Sequence, residues 1–126
     1  MPAFYKIDKE RRLVISTGAG ILTMAEILAH QKKLGNDPDF DPGFSQLIDF
    51  SQVSELDLDA SDIRVLAQRS IFSPRSRRAF IMPTELAYGL GRMYGMLRES
   101  AGEHGIGVFR DLEEALDWIL SKEGRD

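Results

Sequence analysis

The chain has 126 residues, 43% of them hydrophobic and 29% charged, and its 16 Lys+Arg against 20 Asp+Glu leave a formal net charge of −4. That length suits one domain with a sizeable core, and the mild acidity speaks against non-specific nucleic-acid binding, which needs positive potential. The absence of cysteine excludes disulfides, thiolate nucleophiles and zinc–thiolate sites.

Met1-Pro2-Ala3 begins no basic stretch followed by an apolar one, so no signal peptide is expected. No apolar run has the length of a membrane span, and a cytoplasmic protein without integral membrane association is the default. Ala3–Asp8 and Arg12–Thr17 flank the polar turn Asp8-Lys9-Glu10-Arg11, which predicts a β-hairpin with its first strand at a sheet edge. Thr23-Met24-Ala25-Glu26 is a capping box that opens a helix, with Met24, Ile27, Leu28 and Leu34 on one face and Gly35 as its stop. A turn-rich loop, Asn36–Phe44, leads to a strand at Leu47–Phe50. Gln52–Ala60 then reads as a linking segment before a short helix near Ser61–Ser70, with Ile63, Leu66, Ala67 and Ser70 inward. The next strand, Arg78–Met82, feeds a long helix at about Thr84–Ala101 with Leu86, Leu90, Met93 and Leu97 as its core stripe. Ile106–Phe109 is the last strand, and Asp111 opens a final helix whose inner face is Leu112, Ala115, Leu116 and Ile119, with Trp118 flanking. Ser121–Asp126 reads as a frayed end.

Strand, loop and capped helix thus alternate, which is the pattern of an α/β domain with a mainly parallel sheet of five strands. If the strands pair in sequence order, right-handed crossovers put the connecting helices on one face. The opposite face also needs cover, because Ala79-Phe80-Ile81-Met82 is apolar on both sides. A second copy of the chain is the expected cover, which makes a homodimer the expected assembly.

No catalytic constellation stands out. Asp37, Asp39 and Asp41 alternate like calcium ligands, but Pro42 and Ile48 occupy the positions where the loop needs Gly and Glu, so Asx turns are the better reading. Gly18-Ala19-Gly20 lacks the third glycine of a dinucleotide fingerprint and reads as a tight strand–helix connection. His30 and His104 have no triad or metal partners and read as solvated side chains, as does the basic group Arg69, Arg75, Arg77 and Arg78. No metal or cofactor is expected. Gly89, Gly91 and Gly95 interrupt the long helix at up to about 1 kcal/mol each relative to Ala, so close backbone packing, a dimer contact or a groove must compensate. Met82, Tyr88, Gly91, Met93, Tyr94, Gly95 and Met96 together form the candidate apolar groove or dimer face.

The run Leu47-Ile48-Asp49-Phe50-Ser51-Gln52-Val53, followed by an Asp/Ser-rich turn into a helix, resembles the STAS domain, the fold of SpoIIAA-like anti-sigma-factor antagonists. Leu86–Tyr94 and Val108–Ala115 resemble a divergent SpoIIAA-like branch of bacterial proteins. The resemblance implies a SpoIIAA-like fold with helices mostly on one face, and a non-enzymatic regulatory module that binds a protein partner. Its interaction loop would carry Ser51, Asp57, Asp59 and Ser61. Regulated STAS proteins are phosphorylated on a serine in an Asp-Ser-Ser-Gly turn. The match here is Asp59-Ala60-Ser61-Asp62, where Asp62 replaces the glycine, and Ser61 is expected to serve as a helix N-cap instead. The same architecture is related to lipid-transfer folds of the CRAL-TRIO type. The alternative expectation is therefore a carrier of a small apolar or lipid-like ligand, held beside Met82, Tyr88, Met93 and Met96.

Overall fold

The computed structural model describes residues 3–121, and the expected frayed end beyond Ser121 lies outside the described residues. Five strands, β1 (Ala3–Asp8), β2 (Leu13–Thr23), β3 (Ser45–Asp57), β4 (Arg78–Ile81) and β5 (Ile106–Phe109), form one sheet in the order β1-β2-β3-β4-β5. β1 pairs antiparallel with β2, and the later pairings are parallel. The helices are α1 (Met24–Gly35), α2 (Ala60–Ala67), α3 (Glu85–Ser100) and α4 (Leu112–Leu120). This is the α/β architecture expected from the alternating pattern.

Three right-handed crossovers place α1, α2 and α3 on the same face, where Met24, Ile27, Leu28, Ile63, Leu66, Leu90 and Met93 pack with Phe80. α4 follows the last strand and is bound by no crossover, so it folds back under the opposite face. There Ala115 and Ile119, both 0% exposed, pack against Leu13, Leu47, Ala79 and Ile81. The apolar face for which a second copy was the expected cover is thus covered from within the chain. Arg77 fixes the end of α4, with its guanidinium over the Trp118 ring and a hydrogen bond to the Trp118 carbonyl.

Two strands run much further than their sequence predicts. β2 continues through Gly18-Ala19-Gly20 to Thr23, and β3 continues through Ser51 to Asp57. Ala19–Thr23 pair in parallel with Gln52–Asp57 across two register shifts, and Gly20 takes φ +67°. The glycines therefore mark a bulged strand, not a strand–helix connection, and most of the predicted interaction loop is strand. Gly18 is required there because a Cβ would come within 2.9 Å of the Phe50 ring.

The helix starts are set by side-chain caps. Thr23 and Glu26 close the predicted capping box on α1, but that helix includes Gly35 and its C-cap is Asn36. In α2 the cap is Asp59, whose carboxylate accepts from the Asp62 N–H while Asp62 accepts from the Asp59 N–H. Ser61 is therefore not the N-cap. It stands exposed in the first turn, and α2 ends at Ala67 instead of Ser70. The inner face of α3 is also rotated from the predicted stripe. Ala87, Gly91 and Tyr94 are buried while Leu86 is 78% exposed, because Gly91 and Gly95 let the helix lie against Val108 and Ile106 of β5. Leu112 is likewise exposed at the start of α4.

The glycines give a direct test of this packing. A Cβ at Gly89 meets open space, whereas one at Gly105 would lie 2.6 Å from the Ser76 carbonyl oxygen. Gly89→Ala should raise the unfolding free energy by up to about 1 kcal/mol in urea titrations. Gly105→Ala should lower it by more than that gain, and equal effects would refute the described approach of the two chain segments.

Candidate functional site

Alternation along the parallel strands points Ser16, Gln46, Ile48, Arg78 and Phe80 toward the helices. The helices do not close completely over them. A cavity of about 90 Å³ remains between the sheet and α1, α2 and α3. Ile27 and His30 of α1, Ile63 and Leu66 of α2, and Leu90, Gly91 and Tyr94 of α3 wall it from the helix side. Leu22 and Leu56, from the extended part of β2 and β3, complete the wall together with Phe50, Leu58 and Met82. The long parallel ribbon thus serves as one side of a chamber that is apolar over most of its surface.

One end of the chamber is polar. The Gln46 amide donates from Nε2 to Ser16 Oγ at 2.9 Å, and its Oε1 accepts from Arg78 Nε at 3.1 Å. Since a guanidinium only donates, Arg78 fixes the orientation of the Gln46 amide. Arg78 Nη1 donates to Tyr94 Oη at 2.9 Å and reaches the Glu103 carboxylate at 3.4 and 3.5 Å. Glu103 is held more closely by Arg98, whose Nε donates to it at 2.9 Å while Nη1 donates to the Ala67 carbonyl. Arg78 is 5% exposed and Glu103 is 0% exposed. The rings of Phe72, Phe80 and Tyr94 surround the Arg78 guanidinium at 5.0–5.7 Å, favourable distances for cation–π attraction.

Arg78 is therefore no part of a solvated basic face. The strand assignment contained the signal, because alternation groups Arg78 with Phe80 and Met82. Gln46, Ser16, Glu103 and Arg98 were not legible, since only the fold brings them to Arg78. His30 is likewise not solvated: its ring packs edge-on against Tyr5 at 5.5 Å. Its Nε2 is buried with no hydrogen-bond partner among the described residues. Burial, and then the nearby Lys33 charge, lowers its pKa. Tyr5 in turn donates to Asp37 at 2.7 Å, which pushes the phenol up to about 12 and holds the Asp37 carboxyl below its ordinary value. Asp37, Asp39 and Asp41 each serve different partners: Asp37 takes Tyr5, Asp39 pairs with Lys9, and Asp41 accepts from the Gly43 N–H.

The predicted groove set divides. Met82, Gly91 and Tyr94 line the cavity. Met93 packs among Ile63 and Leu66, and Gly95 lies against Ile106. Tyr88 stacks under Arg110, which pairs with Glu85, and Met96 is exposed to solvent. Ser51, Asp57, Asp59 and Ser61 are all exposed, on the outer end of β3 and the start of α2. His104 is exposed.

The fold has a relative among solved structures. The crystal structure of an uncharacterized protein from the DUF3478 family, with a SpoIIAA-like fold, from Shewanella loihica PV-4 is 22% identical to this chain. The match covers 93% of each chain with a TM-score of 0.60. No protein-family model and no curated protein matches the sequence.

Two substitutions probe the polar end. Glu103→Gln leaves the buried Arg78 and the part-buried Arg98 without their shared carboxylate and should cost about 3–5 kcal/mol in chemical denaturation. A loss under about 1 kcal/mol would show that Glu103 is hydrated instead of paired. For His30, the unfolded imidazole, near 6.5, takes up a proton before the folded one does. Its contribution is complete above about 6.5 and is lost as the pH falls below that value. The urea midpoint should therefore fall less between pH 7.5 and 5.5 in His30→Phe than in the parent protein.

Proposed function

We propose that this SpoIIAA-like fold works as a non-catalytic binding module that holds a small, largely apolar molecule between its sheet and the α1–α3 layer. The supporting observation is the partly open, largely apolar chamber of about 90 Å³, lined by residues of three helices and four strands. Cores are normally packed to near crystal density, so a void of this size forfeits contacts that a guest would restore. A larger apolar cavity of about 150 Å³, engineered into another protein, takes up benzene, which sets the scale for a guest of a few heavy atoms. The wall offers adaptable groups for such a guest, Met82 among them.

A regulatory interaction with a protein partner is the second reading, and it draws on the segment Leu56–Ser61. Leu56 and Leu58 line the chamber, while Asp57 and Asp59 between and beyond them are exposed. A guest that presses on the two leucines acts on the same short backbone that presents the two carboxylates. Occupancy and surface are coupled through this alternation, and neither reading needs a catalytic group.

Native mass spectrometry of freshly purified protein, set against a denatured control, tests the first reading. A small molecule released by denaturation, and absent from Ile48→Phe because the larger ring fills the chamber, is the expected result. The reading fails if no such mass is seen and toluene also leaves the melting temperature unchanged. For the second reading, toluene should slow amide exchange over residues 55–61 at least twofold, and unchanged exchange there would uncouple the surface from the chamber.

A further inference from the structure

We infer that the guest carries an anionic head, a carboxylate on a short apolar tail, and that this head pairs with Arg78. The inference rests on the chamber reading above and specifies its ligand. Arg78 is the one charged side chain among the chamber's lining residues, given that His30 is held toward its neutral form, and no Asp or Glu is among them. Its nearest carboxylate, Glu103, is shared: Arg98 binds it at 2.9 Å, against 3.4 Å for Arg78. The buried Arg78 and the part-exposed Arg98 share this one carboxylate, which leaves a positive charge that Glu103 does not balance. A buried charge is costly unless it is paired, so the protein maintains here a site that favours an anion.

The hydrogen-bond inventory points the same way. Arg78 uses Nε and Nη1 for Gln46, Tyr94 and Glu103, which leaves Nη2 without an acceptor among the described residues. Ser16 and Tyr94 both accept through their hydroxyl oxygens, from Gln46 and Arg78, and neither hydroxyl proton has an acceptor among the described residues. Gln46 has its carbonyl occupied by Arg78. The polar end of the chamber thus offers surplus donors from Arg78, Ser16, Tyr94 and the second Nε2 hydrogen of Gln46, whose Oε1 already accepts from Arg78. A carboxylate, with two oxygens, several lone pairs and a negative charge, satisfies such a set best; an alcohol accepts through one neutral oxygen and adds a donor of its own, and an ammonium only donates. The apolar remainder of the wall suits an aliphatic tail of a few carbons.

The test compares pentanoate with pentanol and pentanamide, which share one tail, by isothermal titration at pH 7.5. Pentanoate should bind at least about tenfold more tightly than either neutral analogue, as a hydrogen bond to a charged partner implies. Arg78→Met, which leaves Glu103 paired with Arg98 alone, should abolish that preference. A second readout needs no variant. The bound carboxyl carbon of 1-13C-pentanoate should titrate at lower pH than free pentanoate if Arg78 pairs with it, and at higher pH if it is merely buried. Equal binding of the three compounds would overturn the anionic head and leave the chamber reading intact. Binding of none of them, together with an unchanged melting temperature in toluene, would remove the chamber reading itself.

Discussion

A single guanidinium organises the interior of this domain. Arg78 stands in a central strand where a hydrophobic residue is the ordinary choice, and it can remain there only because its neighbours solvate it. Gln46 from β3, Tyr94 from α3 and Glu103 from the turn after α3 supply hydrogen bonds, and three aromatic rings supply their faces. Because the partners come from separate elements, the charge sets the position of α3 against the sheet as well as its own environment. Arg98 extends the same network to the Ala67 carbonyl at the end of α2, so the layer of helices is fastened at this end.

The opposite, ribbon end of the domain is organised by different forces. There the contacts are apolar and the backbone is extended, with two register shifts in the β2–β3 ladder. A domain fastened by directional bonds at one end and by non-directional packing at the other can retain a void between them. Hydrogen-bond geometry holds the helices at a fixed distance, and the apolar side chains near them do not fill the remainder. The chamber is thus a consequence of how the two ends are held.

The covering of the sheet follows from chain connectivity. The helices between parallel strands are confined to one side by the handedness of their crossovers. Only an element after the final strand is free to take the other side, and α4 does so with Ala115, Leu116, Trp118 and Ile119. The solved SpoIIAA-like neighbour shares the fold at 22% identity and is itself uncharacterized, so the chamber and its lining carry the case for binding.

By itself, the sequence determined what depends on local periodicity and local hydrogen bonding. The order of strands and helices, the antiparallel hairpin, the capping box at Thr23 and the inward Ala115, Leu116 and Ile119 of the last helix were legible, since each is encoded within a few adjacent residues. Tertiary structure decided whatever depends on a distant partner. Gly18-Ala19-Gly20 became strand because Gln52 and Val53 lie beside it, and Asp59 rather than Ser61 became the cap because β3 runs on to Asp57. The surroundings of Arg78 and His30 were decided in the same way. A charge reads as solvated until the residues that replace its water are known, and those residues lie 16 to 32 positions away in the chain for Arg78 and its partners Tyr94, Glu103 and Gln46.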